Sequence, residues 1–216
     1  MAQVPTGSTF HIATAFASAL TVTGVSNAAE AVVSCATHNY SIGDIVEITS
    51  GWGRLNLRIW RVKSIVAATS FVLEGADTTN TTFYAAGTGV GTVRKISTFQ
   101  QITMVMNPSS SGGDPKQVEY KYIESDVAYT INDGFAATGY AIDLDADAIS
   151  TAGYVALKTL TEVQTNTVLK ILTRSGSLVF QPCTVALNEA LQLADGQINK
   201  VKATFNGNNR LTRYAS

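Results

Sequence analysis

Cys35 and His38 stand three residues apart in Cys35-Ala36-Thr37-His38. That spacing is half of a zinc site, and a second ligand pair would have to complete it. The other histidine, His11, and the other cysteine, Cys183, lie in unrelated contexts. Asp143-Leu144-Asp145-Ala146-Asp147 has the alternating carboxylates of a calcium loop. Its sixth position is Ala148 where the loop needs glycine, and its twelfth is Tyr154 where it needs glutamate. Gly87, Gly89 and Gly91 are followed by neither a helix pattern nor Lys-Ser/Thr, so they read as a turn and not as a phosphate cradle. No G-x-S-x-G elbow occurs. Arg54, Arg58, Trp60, Arg61 and Lys63, with Trp52 nearby, could stack single-stranded nucleic acid. The plainer reading makes both tryptophans core or edge aromatics beside a solvated or intersubunit basic face. No catalytic, cofactor or metal residue is assigned, and an enzyme is not expected.

The rest of the composition agrees with that absence. The chain has 216 residues, is 45% hydrophobic and carries a net charge of −1. Only 14% of it is charged, against roughly 25% in an average soluble domain. A low-charge surface suits a subunit that faces copies of itself, and it suits a low-charge monomer equally. No global basic field draws the chain to nucleic acid. Charge is nevertheless segregated: Asp114 to Asp147 is acidic, and Lys158 to Arg213 is basic. Cys35 and Cys183 read as buried reduced thiols, with a long-range disulfide as the alternative. No basic n-region with an apolar h-region is seen, and no apolar run approaches the ~20 residues of a membrane helix. The expectation is synthesis in a cytoplasm.

Short strands dominate the elements that must position any site. Ile45–Thr49, Leu55–Val66, Ser70–Leu73 and Thr92–Ile96 are β-branched or alternating runs broken by turn residues. They predict a small barrel or sandwich from about Thr21 to Ile96. Phe99 to Met106 is a further strand, and Val118 to Ile123 another. Between them Asn107 to Pro115 reads as a flexible loop unable to join a ladder, the tip of a long hairpin. One helix is expected, with Ile149, Ala152, Gly153, Ala156, Leu157 and Leu160 on one stripe. Asp145 or Asp147 would cap it, and Lys158 would sit in its last turn. Thr167–Thr173 and Ser177–Phe180 form a hairpin about Arg174-Ser175-Gly176. Cys183, Val185 and Leu187 alternate inward, and Asp195-Gly196 turns into a last strand, Gln197 to Phe205.

Read together, these pieces carry a likeness. Pro5-Thr6-Gly7-Ser8-Thr9-Phe10-His11-Ile12-Ala13-Thr14 resembles the N-terminus of tail tube proteins of long-tailed, non-contractile phages. Val25-Ser26-Asn27-Ala28 and the run from His38 to Trp52 resemble the segments that follow. Gly91-Thr92-Val93, Ser111-Gly112-Gly113 and the closing Arg213-Tyr214 also fit. The resemblance implies a mainly β fold: a tail-tube β-sandwich with one flanking α-helix, plus an additional small N-terminal β-barrel-like module. Residues 1–20 would be an arm joining the tube domain, 21–97 the barrel-like module on the outer surface, and 98–216 the tube domain.

The resemblance also implies a structural virion protein. Hexameric rings would stack into a hollow channel around a tape-measure protein, bounded by tail tip and terminator proteins. Double-stranded DNA would pass through without specific binding. A tail terminator or other tube-fold virion component is the alternative, as is a surface host- or carbohydrate-binding module with exposed Trp52 and Trp60. Alternation separates Val118, Tyr120 and Tyr122 from Glu119 and Lys121. With the aromatic face on the helix, Glu119, Lys121 and Glu124 become lumen candidates. Pro108, Ser109, Ser110, Ser111, Gly112, Gly113 and Asp114 become candidates for an inter-ring loop.

Overall fold

The computed structural model describes residues 6–215. The first strand, β1 (Thr9–Phe16), belongs to a sandwich, and the chain then leaves it to build a barrel. The barrel strands are β2 (Leu20–Val22), β3 (Gly24–Val25), β4 (Val32–Ser34), β5 (Ile45–Ser50), β6 (Arg58–Val66), β7 (Ser70–Leu73) and the first residues of β8 (Gly91–Ile102). Hydrogen bonding runs β3-β4-β7-β6-β5-β8, and β2 pairs β8 at Leu20↔Val93, which closes the circle. The core is what the alternation dictates: Val22, Val33, Val46, Ile48, Trp60, Phe71, Leu73 and Val93 turn inward with Trp52 and Leu55.

β8 is long enough to serve two layers. Its second part pairs β1, from Phe16↔Ile96 to Phe10↔Ile102. β9 (Val105–Ser111) follows, then a separate hairpin of β10 (Pro115–Tyr120) and β11 (Tyr129–Phe135), then β12 (Gly139–Asp145). A short 3-10 turn (Ala146–Ser150) leads into α1 (Ala152–Val163). The chain ends with β13 (Thr167–Leu172), β14 (Leu178–Gln192), β15 (Lys200–Gly207) and β16 (Thr212–Tyr214). β14 is shared as β8 is. Its first half pairs β13 and β16, and its second half pairs β15. One layer is therefore β8-β1-β13-β14, and the other is β14-β15-β12-β9. Ile12, Ile142, Leu144, Leu169, Cys183, Val185, Ala203 and Phe205 fill the space between them. The described residues are mainly β with one α-helix, and α1 lies on β14, β8 and β1.

A third cluster joins barrel to sandwich: Ile59, Ile96, Val168, Phe180 and Tyr214. Polar bonds reinforce this seam. The Arg61 amide donates to Tyr214 Oη at 2.8 Å, and Asn209 Nδ2 to Asn56 O at 2.6 Å.

Four sequence expectations are corrected here. Asn107 to Pro115 is not one structureless loop: Ser109, Ser110 and Ser111 pair with Ala141, Tyr140 and Gly139. Pro108 is tolerated because β9 is an edge strand and the register slips between Ala141 and Asp143, with Asn107 at φ 46° in the resulting bulge. The helix is capped by Thr151, whose Oγ1 accepts from the Tyr154 amide, while Asp145 caps the preceding 3-10 turn. Ile149 is exposed, because that turn rotates it off the stripe, and Tyr154 takes the buried place beside Leu157. Lys158 lies mid-helix, since the helix continues to Val163, and pairs with Glu189 at 3.1 Å.

Candidate functional site

The chemistry-bearing residues are spent on structure. His38 Nε2 lies 3.0 Å from the Ser70 carbonyl, which can only accept. Nε2 therefore carries the proton, and Nδ1 is left to accept from the Tyr40 amide at 3.4 Å. Cys35 and Cys183 are buried and unbonded to each other, and burial pushes the Cys183 thiol up to about 12. Among the described residues no three His, Cys, Asp or Glu side chains gather as a metal site. Trp52 is 2% exposed and Trp60 4%, so neither can be a platform for sugars or bases. Trp52 Nε1 donates inward to Ala85 O at 2.8 Å and Thr88 Oγ1 at 2.9 Å.

What stands out instead is backbone left open. β14's second half, β15, β12 and β9 form a four-stranded antiparallel unit. Among the described residues β9 ends the sheet and is paired on one side only. On β14, the β13 ladder stops at Thr167↔Cys183, so Thr184–Gln192 has a strand on its β15 side alone among the described residues. On the other side the Leu187 amide donates to Thr161 Oγ1 of α1 at 2.9 Å. Four is an even number, so β9 and β14 run in opposite directions. A second copy can therefore add its β14 to this β9 in the same antiparallel sense.

The outward face of this unit follows from register, because directly opposed residues share a face. Ser109, Ala141, Thr204 and Ala186 form one row. Ser111, Gly139, Asn206 and Thr184 form the next, and Met106, Asp143, Lys202 and Asn188 a third. The face is small and polar, and its charges compensate. Asp143 accepts from Lys200 Nζ at 3.0 Å and from Asn107 Nδ2 at 3.1 Å. The signal for it was the alternation in Gly139–Asp145 and Lys200–Gly207, where Ile142, Leu144, Val201, Ala203 and Phe205 turn inward.

From one end of this unit projects an arm, β10–β11, with every residue exposed. Gly112 and Gly113 take φ of 71° and 83° to turn the chain into it. The base is held by the Ala136 amide donating to Asp114 O at 2.8 Å, and by Arg210 lying 4.2 Å over the Phe135 ring. Val118 opposes Ile131 and Tyr120 opposes Tyr129, giving an apolar face. Gln117, Asn132, Glu119 and Thr130 make the polar one. The aromatics do not reach α1: Tyr120, Tyr122 and Tyr129 cluster on one another near the arm tip, at centroid distances of 5.5 to 6.0 Å. Glu119 thus lies on the arm, and Lys121 and Glu124 lie in the turn beyond β10. None of the three makes an ion pair among the described residues. Of the loop candidates, Pro108 to Ser111 lie on β9, and Gly112 to Asp114 form the hinge of the arm.

Residues 50–216 match the family described as phage tail tube protein. A solved structure described as the tail of an empty GTA particle, with C6 symmetry, is 10% identical to the chain. That likeness covers 54% of this chain and 87% of the other, at a TM-score of 0.43. No curated protein sequence matches.

Proposed function

The chain belongs to the phage tail tube protein family, and from that premise we propose that it builds its tube by joining β9 of one copy to β14 of the next. Membership makes it a structural virion component and not an enzyme. Six copies would close a ring, the number that the family likeness implies. Six four-stranded units make a barrel of about 24 strands, roughly 45–50 Å across the backbone at ~4.8 Å per strand and a tilt of about 40°. Barrels of 16–18 strands already hold an aqueous channel.

The outward rows of Ser109, Ala141, Thr204 and Ala186 then line the channel in place of Glu119, Lys121 and Glu124. A wall of small polar groups with compensated charge offers phosphates few lasting contacts, so duplex DNA slides without sticking. The same wall accommodates a tape-measure protein during assembly. Tail tip and terminator proteins would close the two ends of the stack. The arm meets the adjacent ring, because an isolated two-stranded ribbon with an apolar face is marginal in water until a partner covers that face. The barrel of β2 to β8 sits on the outer wall, where it leaves the lumen clear.

The observation that carries this reading is the four-stranded unit with two oppositely running edges that lack a strand partner among the described residues, the β14 edge being met by α1 at Leu187. Negative-stain microscopy of the purified protein tests it: rings are expected at moderate concentration and long tubes at high concentration. Ser110→Pro, at a position whose amide faces the open side of β9, is expected to leave a folded monomer by circular dichroism and to abolish rings. A protein that stays monomeric in every buffer would overturn the reading. Single rings that never extend would point to a terminator.

A further inference from the structure

A cavity of about 540 Å³ opens at the seam between the barrel and β16. Leu55, Arg58, Trp60, Tyr84, Leu211 and Tyr214 are among the residues that line it. Two donors there find no acceptor among the described residues, Arg58 Nε and Trp60 Nε1, and Trp60 is only 4% exposed. Arg58 stacks 4.3 Å over Trp60 and gives one bond, from Nη2 to Thr212 Oγ1 at 3.3 Å. Two carboxylates also line the cavity, but both are engaged. Glu74 takes two bonds from Arg61, at 2.5 and 2.7 Å, and Asp77 holds Thr79 at 2.7 and 2.9 Å. Arg213 lines the cavity as well. The site has surplus donors, an unpaired cation and apolar walls. Such a site fits a carboxylate carried between apolar side chains, because an unmatched buried donor costs its full desolvation until an acceptor arrives.

We propose that this cavity receives Asp195 from the β14–β15 turn of a second copy in the adjacent ring. The proposal rests on the tube reading above. β14 spans 15 residues, from Leu178 beside β16 to Gln192 at the turn. At ~3.3 Å per residue the strand's contour is roughly 46 Å, and turn and cavity lie at its opposite ends. They cannot meet within one chain, but they face each other in a head-to-tail stack. The turn has the matching chemistry. Asp195 makes no ion pair among the described residues. Leu193 is 70% exposed and Ile198 61%, on either side of it. The arm leaves from the cavity's end of the molecule, since Leu211 lines both the cavity and the groove at the arm base. A contact between unlike ends of the subunit leaves each ring with one end free to take the next, so it can propagate along the stack. Burial and the nearby Arg210 hold the Arg58 guanidinium below its ordinary range, a penalty that an incoming carboxylate relieves.

Cysteine pairing in assembled tubes tests this. With Asp77→Cys and Leu193→Cys in one chain, oxidation of tubes is expected to give a ladder of dimers, trimers and longer species on a non-reducing gel. Either single variant is expected to give none. Asp195→Lys should raise the concentration needed for tubes at least about tenfold, and Asp195→Glu should not. Tubes of the double-cysteine variant that give no ladder, and an Asp195→Lys variant that polymerises normally, would overturn this proposal alone. A ladder obtained with Ile123→Cys in place of Leu193→Cys would give the cavity to the arm and overturn it too. A wild-type protein that never polymerises would bring down the tube reading itself.

Discussion

Asp143 shows how much a single side chain is asked to do on the open sheet. Burial alone would raise its carboxyl, but bonds from Asn107 and Lys200, with Lys202 nearby, outweigh that and hold it below the ordinary 3.8. A carboxylate whose folded pKa is depressed stabilises the fold above its unfolded value. That contribution disappears as pH falls through the lower, folded pKa. Asp143→Asn should therefore cost about 1 kcal/mol at pH 7 and much less near pH 2. Urea unfolding at the two pH values measures the difference, and an equal loss at both would refute it. Asn107, at φ 46° in the β9 bulge, should loosen with it, because its amide is one of the two donors. Other residues singled out for reactivity act as structure. His38 ties the β6–β7 turn through Val66 O and Ser70 O, and Cys183 fills the sandwich core.

At the level of elements, α1 owes its position to its glycine. Gly in a helix interior costs roughly 1 kcal/mol against Ala. Propensity alone therefore predicts that Gly153→Ala stabilises. The structure reverses the sign. A Cβ there would stand 2.5 Å from the Gln101 carbonyl oxygen and 2.8 Å from Ile102 Cα, both backbone of β8. Backbone cannot swing aside, so the helix must lift from the sheet that Leu157 and Tyr154 bind. The expected net loss is about 1–3 kcal/mol, seen as a lower midpoint in thermal denaturation. A raised midpoint would mean that the helix is free to shift. β9 teaches the opposite lesson about a breaker residue. Pro108 predicts an interrupted ladder, and in a central strand it would be one. On an edge strand with a bulge it removes no bond that the sheet needs.

For the whole molecule, the arm is the part whose strands bury no side chain within the chain. Its base closes at Asp114 and Ala136, so joining these residues and deleting 115–135 removes no buried side chain. The shortened protein should fold with an unchanged thermal midpoint and form rings that do not stack. Microscopy and sedimentation velocity would show this, and normal tubes would reduce the arm to a surface ornament. The sequence by itself determined what is local: the strands and their alternation, the helix stripe at Leu157, and the turns at Arg174-Ser175-Gly176 and Asp195-Gly196. Phe205, Ala203 and Val201 face inward wherever their strand is placed, because side chains alternate with a period of two. Only the tertiary structure decided which strands are neighbours. Val118, Tyr120 and Tyr122 read as a face for the helix, yet they stand on an arm, since alternation says that a face is apolar and not what covers it. The proposed channel face needs Ser109, Ala141, Thr204 and Ala186 in one row, drawn from strands up to about a hundred positions apart. Strand partnership is a non-local choice made by the whole core, and no window of sequence contains it.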